Sequence, residues 1–246
     1  LLMVAVTLAV ASLTAVGFFA DRLQGGLQRD ALQLLGGDFV VASDHATPDP
    51  IVERARALGL SVVRTASFPT MARAGDAQGG ASRLVAFKSV TPGYPLRGSV
   101  SVAAAVNAPG QPTREIPASG EVWVDASLLD ALGLKLGDPL LLGDTSLRIA
   151  RIITLEPDRG AGFMSFSPRV MVNDADVAAT GLVQPASRVT YRLVVAGAAA
   201  PVRQFQAFVD AQLQQPGVRG MRVESLDSGR TDMKQTLERA QNFLSL

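Results

Sequence analysis

The sequence contains no cysteine and a single histidine in 246 residues. Disulfides, thiolate metal sites and a cysteine nucleophile are therefore excluded, and this chain cannot assemble a multi-histidine metal centre. Charge of either sign is not in excess: 23 basic residues face 22 acidic ones, so no strong field points to nucleic acid. Lysine is scarce, limited to Lys88, Lys135 and Lys234. No GxxxxGK phosphate loop followed by Ser or Thr occurs, and no GxSxG elbow. Ser43, Asp44 and His45 are consecutive, whereas a catalytic triad converges from separate parts of a fold, so they read as a polar turn. Asn173-Asp174-Ala175-Asp176 has too few ligands for a calcium loop; Asp174 or Asp176 is expected to cap a short helix ending at Gly181.

Charge is missing altogether from residues 1–20, "LLMVAVTLAVASLTAVGFFA". A helix of that length spans about 30 Å, the thickness of a bilayer's hydrocarbon core. A signal peptide would have a basic start and a cleavage site, and a buried soluble helix would carry more polar residues than Thr7, Ser12 and Thr14. The run therefore reads as a membrane span cut from a longer protein. Ala5 with Ala9, and Ala11 with Ala15, have the spacing that lets a second helix approach closely in lipid, although alanine is simply common here.

Beyond the span, Leu23, Leu27, Ala31 and Leu34 or Leu35 fall at helical spacing until Gly36-Gly37, which predicts a stalk helix over 21–36. Residues 37–43 read as a strand, Pro50 opens a helix that stops at Gly59, and 60–68 read as a strand. The same order recurs later: a strand over 187–197, a helix with Val202, Phe205, Val209 and Leu213 on one stripe, and a strand over 221–226. Two βαβ units at the two ends of a domain predict a ferredoxin-like split sheet of the α+β class, with both helices on one face.

Between them, 82–90 and 98–106 read as strands, and 107–120, with three prolines and two glycines, as a linker or exposed loop. Residues 118–172 are expected to form a small separate αβ unit inserted into the first domain, replaceable by a short linker. The two halves of the split-sheet domain are then 37–117 and 173–227. Phe163, Met164 and Phe166 in the Gly-rich stretch 160–168 could pack inside, or face a partner or lipid. At the end, Met233, Leu237, Ala240 and Leu244 make a 4-3-4 seam, which predicts a second stalk over 228–246 leading to a second span.

Several stretches carry a resemblance: "LLGGDFVVAS", "SFPTMARAG", "YPLRG", "SPRVMVNDADVAATGLVQPASRVTYRL" and "LERAQNFL". Together with the order span, stalk, split αβ domain with an inserted unit, stalk, the chain resembles the MacB/FtsX-type permeases of ABC transporters, and these stretches look closer to the YbbP branch. The resemblance implies a first transmembrane helix and a first periplasmic domain with porter-like and Sabre-like (118–172) parts, set in the bacterial inner membrane with residues 37–226 in the periplasm. It implies no catalytic residue and no cofactor in this chain, ATP and magnesium belonging to a cytoplasmic partner ATPase. It also implies mechanotransmission, with Leu23, Leu27, Met233, Leu237, Ala240 and Leu244 as stalk-packing residues. A hydrophobic or lipid-like cargo drawn from membrane lipid is the first expectation. The second is a signalling module that docks and activates a periplasmic hydrolase such as a thioesterase or lysophospholipase. Phe163, Met164 and Phe166 would be the partner or substrate contacts.

Overall fold

The computed structural model describes residues 14, 15, 18, 19, 22, 26, 30–160 and 166–225. The second stalk at 228–246 lies outside the described residues, as do nearly all of the span at 1–20 and part of the first stalk. Among the described residues no helix is long and apolar enough to cross a membrane. Residues 30–35 are helical and stop at Gly36, whose φ of 74° suits a residue without a Cβ.

The first half-unit is β1 (Phe39–Ser43), α1 (Asp49–Ala57) and β2 (Ser61–Ala74). Its helix begins where Pro50 is tolerated, with Asp49 in the first turn and Arg54 and Arg56 in the last, as the helix dipole favours. The second half-unit is β10 (Thr190–Ala196), α4 (Ala199–Leu213) and β11 (Met221–Glu224). Helix numbering follows chain order, so α2 and α3 lie between these halves. Strand β10 inserts between β1 and β2, and β1 inserts between β10 and β11, all neighbours antiparallel. Each βαβ unit is thus split by a strand of the other. Both helices lie on one face, where Ile51, Val52, Ala55, Phe205 and Val209 pack on Phe39, Val41, Leu193 and Val195. Phe39 and Phe205 meet edge to face, centroids 5.8 Å apart.

The middle of the chain supplies β3 (Ser82–Val90), β4 (Val100–Ala103), β5 (Gln111–Thr113), β6 (Glu121–Asp125), α2 (Ala126–Leu132), β7 (Pro139–Leu142), β8 (Thr145–Leu155), β9 (Arg169–Asn173) and α3 (Val177–Thr180). Six strands pair in a closed ring, β2–β3–β9–β6–β8–β7 and back to β2. Its inward side chains form one buried cluster that includes Phe68, Phe87, Val122, Leu140, Ile149 and Val170, with Leu128, Leu129 and Leu132 of α2. A register shift in β8 beside β6 lets Ile149 and Ile152 both face this interior despite their odd spacing. The segment 118–172 therefore supplies most of the ring, while β2 and β3 close it, and it is joined to the earlier chain by the pairings of β7 with β2, β9 with β3 and β8 with β4.

Two local expectations are corrected. The strand expected over 60–68 runs on to Ala74 through Pro69. Arg64 and Ala74 bond toward the β3 side, so odd-numbered Pro69 faces the opposite edge. On that edge β10 pairing has ended at Ser67 and β7 pairing begins only at Ala72, so the missing N–H costs no ladder bond. The loop 107–120 also contains β5, an edge strand on β4 in which Pro112 is tolerated for the same reason.

Because the ring is shared, Phe87→Ala is expected to cost about 3–5 kcal/mol and Leu140→Ala about 2–5 kcal/mol, each lowering a single cooperative transition. Denaturant unfolding followed by Trp123 fluorescence and by circular dichroism checks this. Two separate transitions, only one of them moved by Leu140→Ala, would show that 118–172 folds on its own.

Candidate functional site

Strand β3 ends in Leu-Val-Ala-Phe-Lys-Ser-Val, and the lysine in that run lands on a buried sheet position. The Lys88 side chain is 3% exposed, and the side chains of Glu156 and Asp158 beside it are fully buried. Its ammonium donates to Glu156 Oε1 at 2.8 Å, to Asp158 Oδ1 and Oδ2 at 3.0 and 2.9 Å, and to Tyr94 Oη at 2.8 Å. Tyr94 in turn donates to Asp158 Oδ1. Arg169, first residue of β9, donates from Nε to Glu156 Oε2 at 2.6 Å, and from its other nitrogens to the carbonyls of Ala86 and Arg159. Arg159 forks onto Asp125, and the Arg169 amide donates to the same carboxylate.

The cluster reaches both ends of the domain through Arg192 on β10. That guanidinium donates to Asp158 Oδ2 at 3.4 Å, to Glu224 Oε2 at 2.9 Å and to the carbonyl of Leu35 at 3.4 Å. Leu35 is the last residue of the helix at 30–35 and Glu224 the last of β11. Gly36 and Gly37 permit the close approach: a Cβ on Gly36 would press on the Asp158 carboxylate at 3.2 Å, and one on Gly37 would overlap Val194 at 2.3 Å. Arg97 holds the same corner, forking onto Asp38 at 2.8 and 2.7 Å while its amide donates to the Gly36 carbonyl.

Desolvation of these charges is expensive and is offset only by near-complete pairing. Lys88, Arg169 and Arg192 face Glu156, Asp158 and Glu224, three against three. Burial pushes the Glu156 carboxyl up, but Lys88 and Arg169 outweigh it and hold it down at about 2, against an ordinary 4.5. Burial, then the charges of Asp158 and Glu156, push the Tyr94 phenol well above its ordinary value and keep it a donor. A cleft of about 500 Å³ opens over this cluster, between the stalk foot at Leu34 and Leu35 and the face bearing Ser67, Pro69, Arg188 and Arg192.

Of the residues expected to act, Leu23, Leu27, Phe163, Met164, Met233, Leu237, Ala240 and Leu244 lie outside the described residues. Phe166 is described and is 87% exposed, so it does not pack inside. Ser43 and Asp44 both bond the same His45 nitrogen, Nδ1, the geometry of a polar turn. The cap of the 174–180 helical turn is Asn173, whose side chain accepts from the Ala175 amide. Asp174 instead accepts from Ser89, and Asp176 from Ser119 and the Gly120 amide. These corrections have one cause: both carboxylates are drawn to partners far along the chain. The ion cluster itself was not foreseen; its one signal was a cation inside each of two apolar strands, "VAFKSV" and "PRVMVN".

Because the folded value for Glu156 lies below its unfolded one, its stabilisation is complete above about pH 4.5 and is lost as pH falls toward 2. This group is expected to remove on the order of 3 kcal/mol over that window. Glu156→Gln should flatten that part of the stability profile while lowering stability at neutral pH, measured by urea unfolding across the acid range. An unchanged acid slope in the variant would show that another carboxylate governs it.

No protein-family profile matches the chain. Over 242 residues, 98% of its length, it is 34% identical to an uncharacterized ABC transporter permease, YbbP, of Escherichia coli strain K12. The chain spans 28% of the length of that relative. Among solved structures, the periplasmic region of MacB from Actinobacillus actinomycetemcomitans aligns with a TM-score of 0.49 at 12% identity, over 84% of this chain and 95% of that one. The extracellular domain of the noncanonic ABC-type transporter YknZ from Gram-positive bacteria aligns with a TM-score of 0.46 at 11% identity, over 76% of this chain and all of that one. Nearly the whole chain is thus similar in sequence to just over a quarter of an ABC transporter permease.

Proposed function

We propose that the chain is the first membrane helix and first periplasmic domain of an ABC transporter permease of the bacterial inner membrane. In this reading a cytoplasmic ATPase binds and hydrolyses ATP with magnesium, and the two stalks carry the motion outward. The domain then extracts or moves a hydrophobic, lipid-like molecule at the outer face of the membrane. The similarity to YbbP supports the permease assignment. Phe18 and Phe19, exposed on helical backbone near the end of the uncharged run, fit a lipid-facing segment.

The observation that carries the mechanical part is Arg192. One side chain holds the last carbonyl of the first stalk's helix and the last carboxylate of β11, and rests on the buried Asp158. A displacement of either stalk root must stretch or break charge-assisted bonds to a cluster that cannot tolerate an unpaired charge. The roots are therefore coupled to each other and, through Lys88, Glu156 and Arg169, to the ring of strands. Packed and hydrogen-bonded units of this kind shift between discrete arrangements rather than deforming smoothly.

These 246 residues contain no cysteine, so label sites can be introduced in them singly once any cysteine elsewhere in the full-length permease is replaced. Spin labels on Gln33→Cys and Ser225→Cys in the full-length permease with its ATPase should report different distances with and without bound ATP. Adding Arg192→Met should abolish that nucleotide-dependent difference while ATP hydrolysis and circular dichroism are retained. Identical distances in both nucleotide states of the otherwise unaltered protein would end the mechanical reading.

A further inference from the structure

We infer that the open face of β10, β2 and β3 binds a single-chain anionic amphiphile, its head on Arg188 and Arg192 and its chain along Pro69, Met71 and Leu84. The inference rests on the permease reading for its purpose, though not for its geometry.

Strand alternation puts these residues on one face. Along β10, Arg188, Thr190 and Arg192 all line the cleft. Thr190 pairs with Ser67 and Arg192 with Thr65. Continued by two residues, the same antiparallel register sets Arg188 beside Pro69. On the other side of β2, Ser67 pairs with Lys88, Pro69 with Ala86, and Met71 with Leu84. From Thr65 to Met71 the face runs about 20 Å. It begins at the stalk foot, passes the two arginines and ends on an apolar pair.

That pair is unusual for its exposure. Met71 is 50% and Leu84 40% exposed, opposite each other, and no described element covers them. Phe68, on the other face of the same hairpin, is buried in the ring. The opening exists because Pro69 lies where β2 has lost β10 and not yet gained β7.

Charge chooses the occupant. Lys88 and Arg169 are matched by Glu156 and Asp158, Arg159 by Asp125, and Arg192 by Glu224. Arg188 lines the cleft and is left without an ion pair among the described residues. Among the described residues, the Nε of Arg159 and the Nε of Arg192 are buried without a hydrogen-bond partner, and both residues border the cleft. Guanidinium donors of this kind match a phosphate or carboxylate head. A cationic head would meet the Arg188 charge, and a second apolar chain would find no stripe of its own. A free inorganic anion would use the arginines and ignore Met71 and Leu84.

The test needs only the full 246-residue chain, held in phosphatidylcholine nanodiscs without the ATPase, so its outcome does not depend on coupling. The probe is dodecyl phosphate with a diazirine at the chain end, cross-linked by light and mapped by mass spectrometry of peptides. Label is expected within residues 67–74 and 82–86, and Arg188→Glu should reduce it about tenfold, as loss of one charge-assisted contact would. Met71→Asp should reduce it as well; both positions are exposed, so the fold is not at risk. Equal labelling by the uncharged dodecanol analogue would leave only an apolar patch and overturn the inference. So would competition by millimolar orthophosphate with retained label in Met71→Asp, which describes an anion site alone. Labelling unaffected by Arg188→Glu would overturn it too. If label appears as expected but the stalk distances ignore ATP, the site stands and the mechanical reading falls.

Discussion

A lysine ammonium placed inside a sheet is the constraint on which the rest of this domain turns. Lys88 cannot remain charged in that position without partners, which are Tyr94 from the turn just after β3 and, from far along the chain, Glu156 and Asp158 at the corner after β8. Each carboxylate then needs a second cation, which Arg169 and Arg192 supply. Satisfying one charge therefore fixes the corner at 156–159, the start of β9 and the middle of β10 in mutual position. Buried ionic groups of this kind add little net stability compared with apolar replacements. Their consequence here is geometric, since every alternative arrangement strands a charge away from water.

Strand β2 is the shared beam of the architecture. Its first half is a member of the split βαβ sheet and its second half is a stave of the closed ring. Hydrophobic burial along one face of the sheet is thereby divided into two clusters, one where Phe205 of α4 meets Phe39 and one where Phe68 stacks on Phe87 inside the ring, centroids 4.5 Å apart, while Val40, Val63, Val90 and Val194 form a third on the opposite face. A chain segment inserted in sequence between β3 and β10 is thus joined to its host by backbone ladders as well as by side chains.

The end of the 30–35 helix, the ion cluster and the open cleft are one region. Leu35 packs partly against the cluster of Val40, Tyr94 and Val194, and its carbonyl meets Arg192. Gly36 and Gly37 bring the helix end down onto Asp158 and Val194 where no side chain would fit. The same arginine that bonds the Leu35 carbonyl borders the cleft, so the cleft and the end of the 30–35 helix share a group.

The sequence by itself determined the local elements and much of their order. Periodicities of two and 3.6, with Gly and Pro at the boundaries, were enough to mark β1, α1, β3, β10 and α4, and the repeated strand–helix–strand pattern anticipated the interleaved sheet of β11, β1, β10 and β2. The pattern failed where non-local pairing overrode residue preference, as in β5 with Pro112 and in β2 beyond Pro69: whether a proline costs a hydrogen bond depends on which edge its nitrogen faces. The candidate site was barely legible. Lys88, Glu156, Arg169 and Arg192 are scattered over more than a hundred residues, and nothing local distinguishes them from surface charges except two cations amid apolar strands. Only the tertiary structure decided that they meet, because the strand order folds those positions onto one face, and burial then leaves each charge no partner but the others.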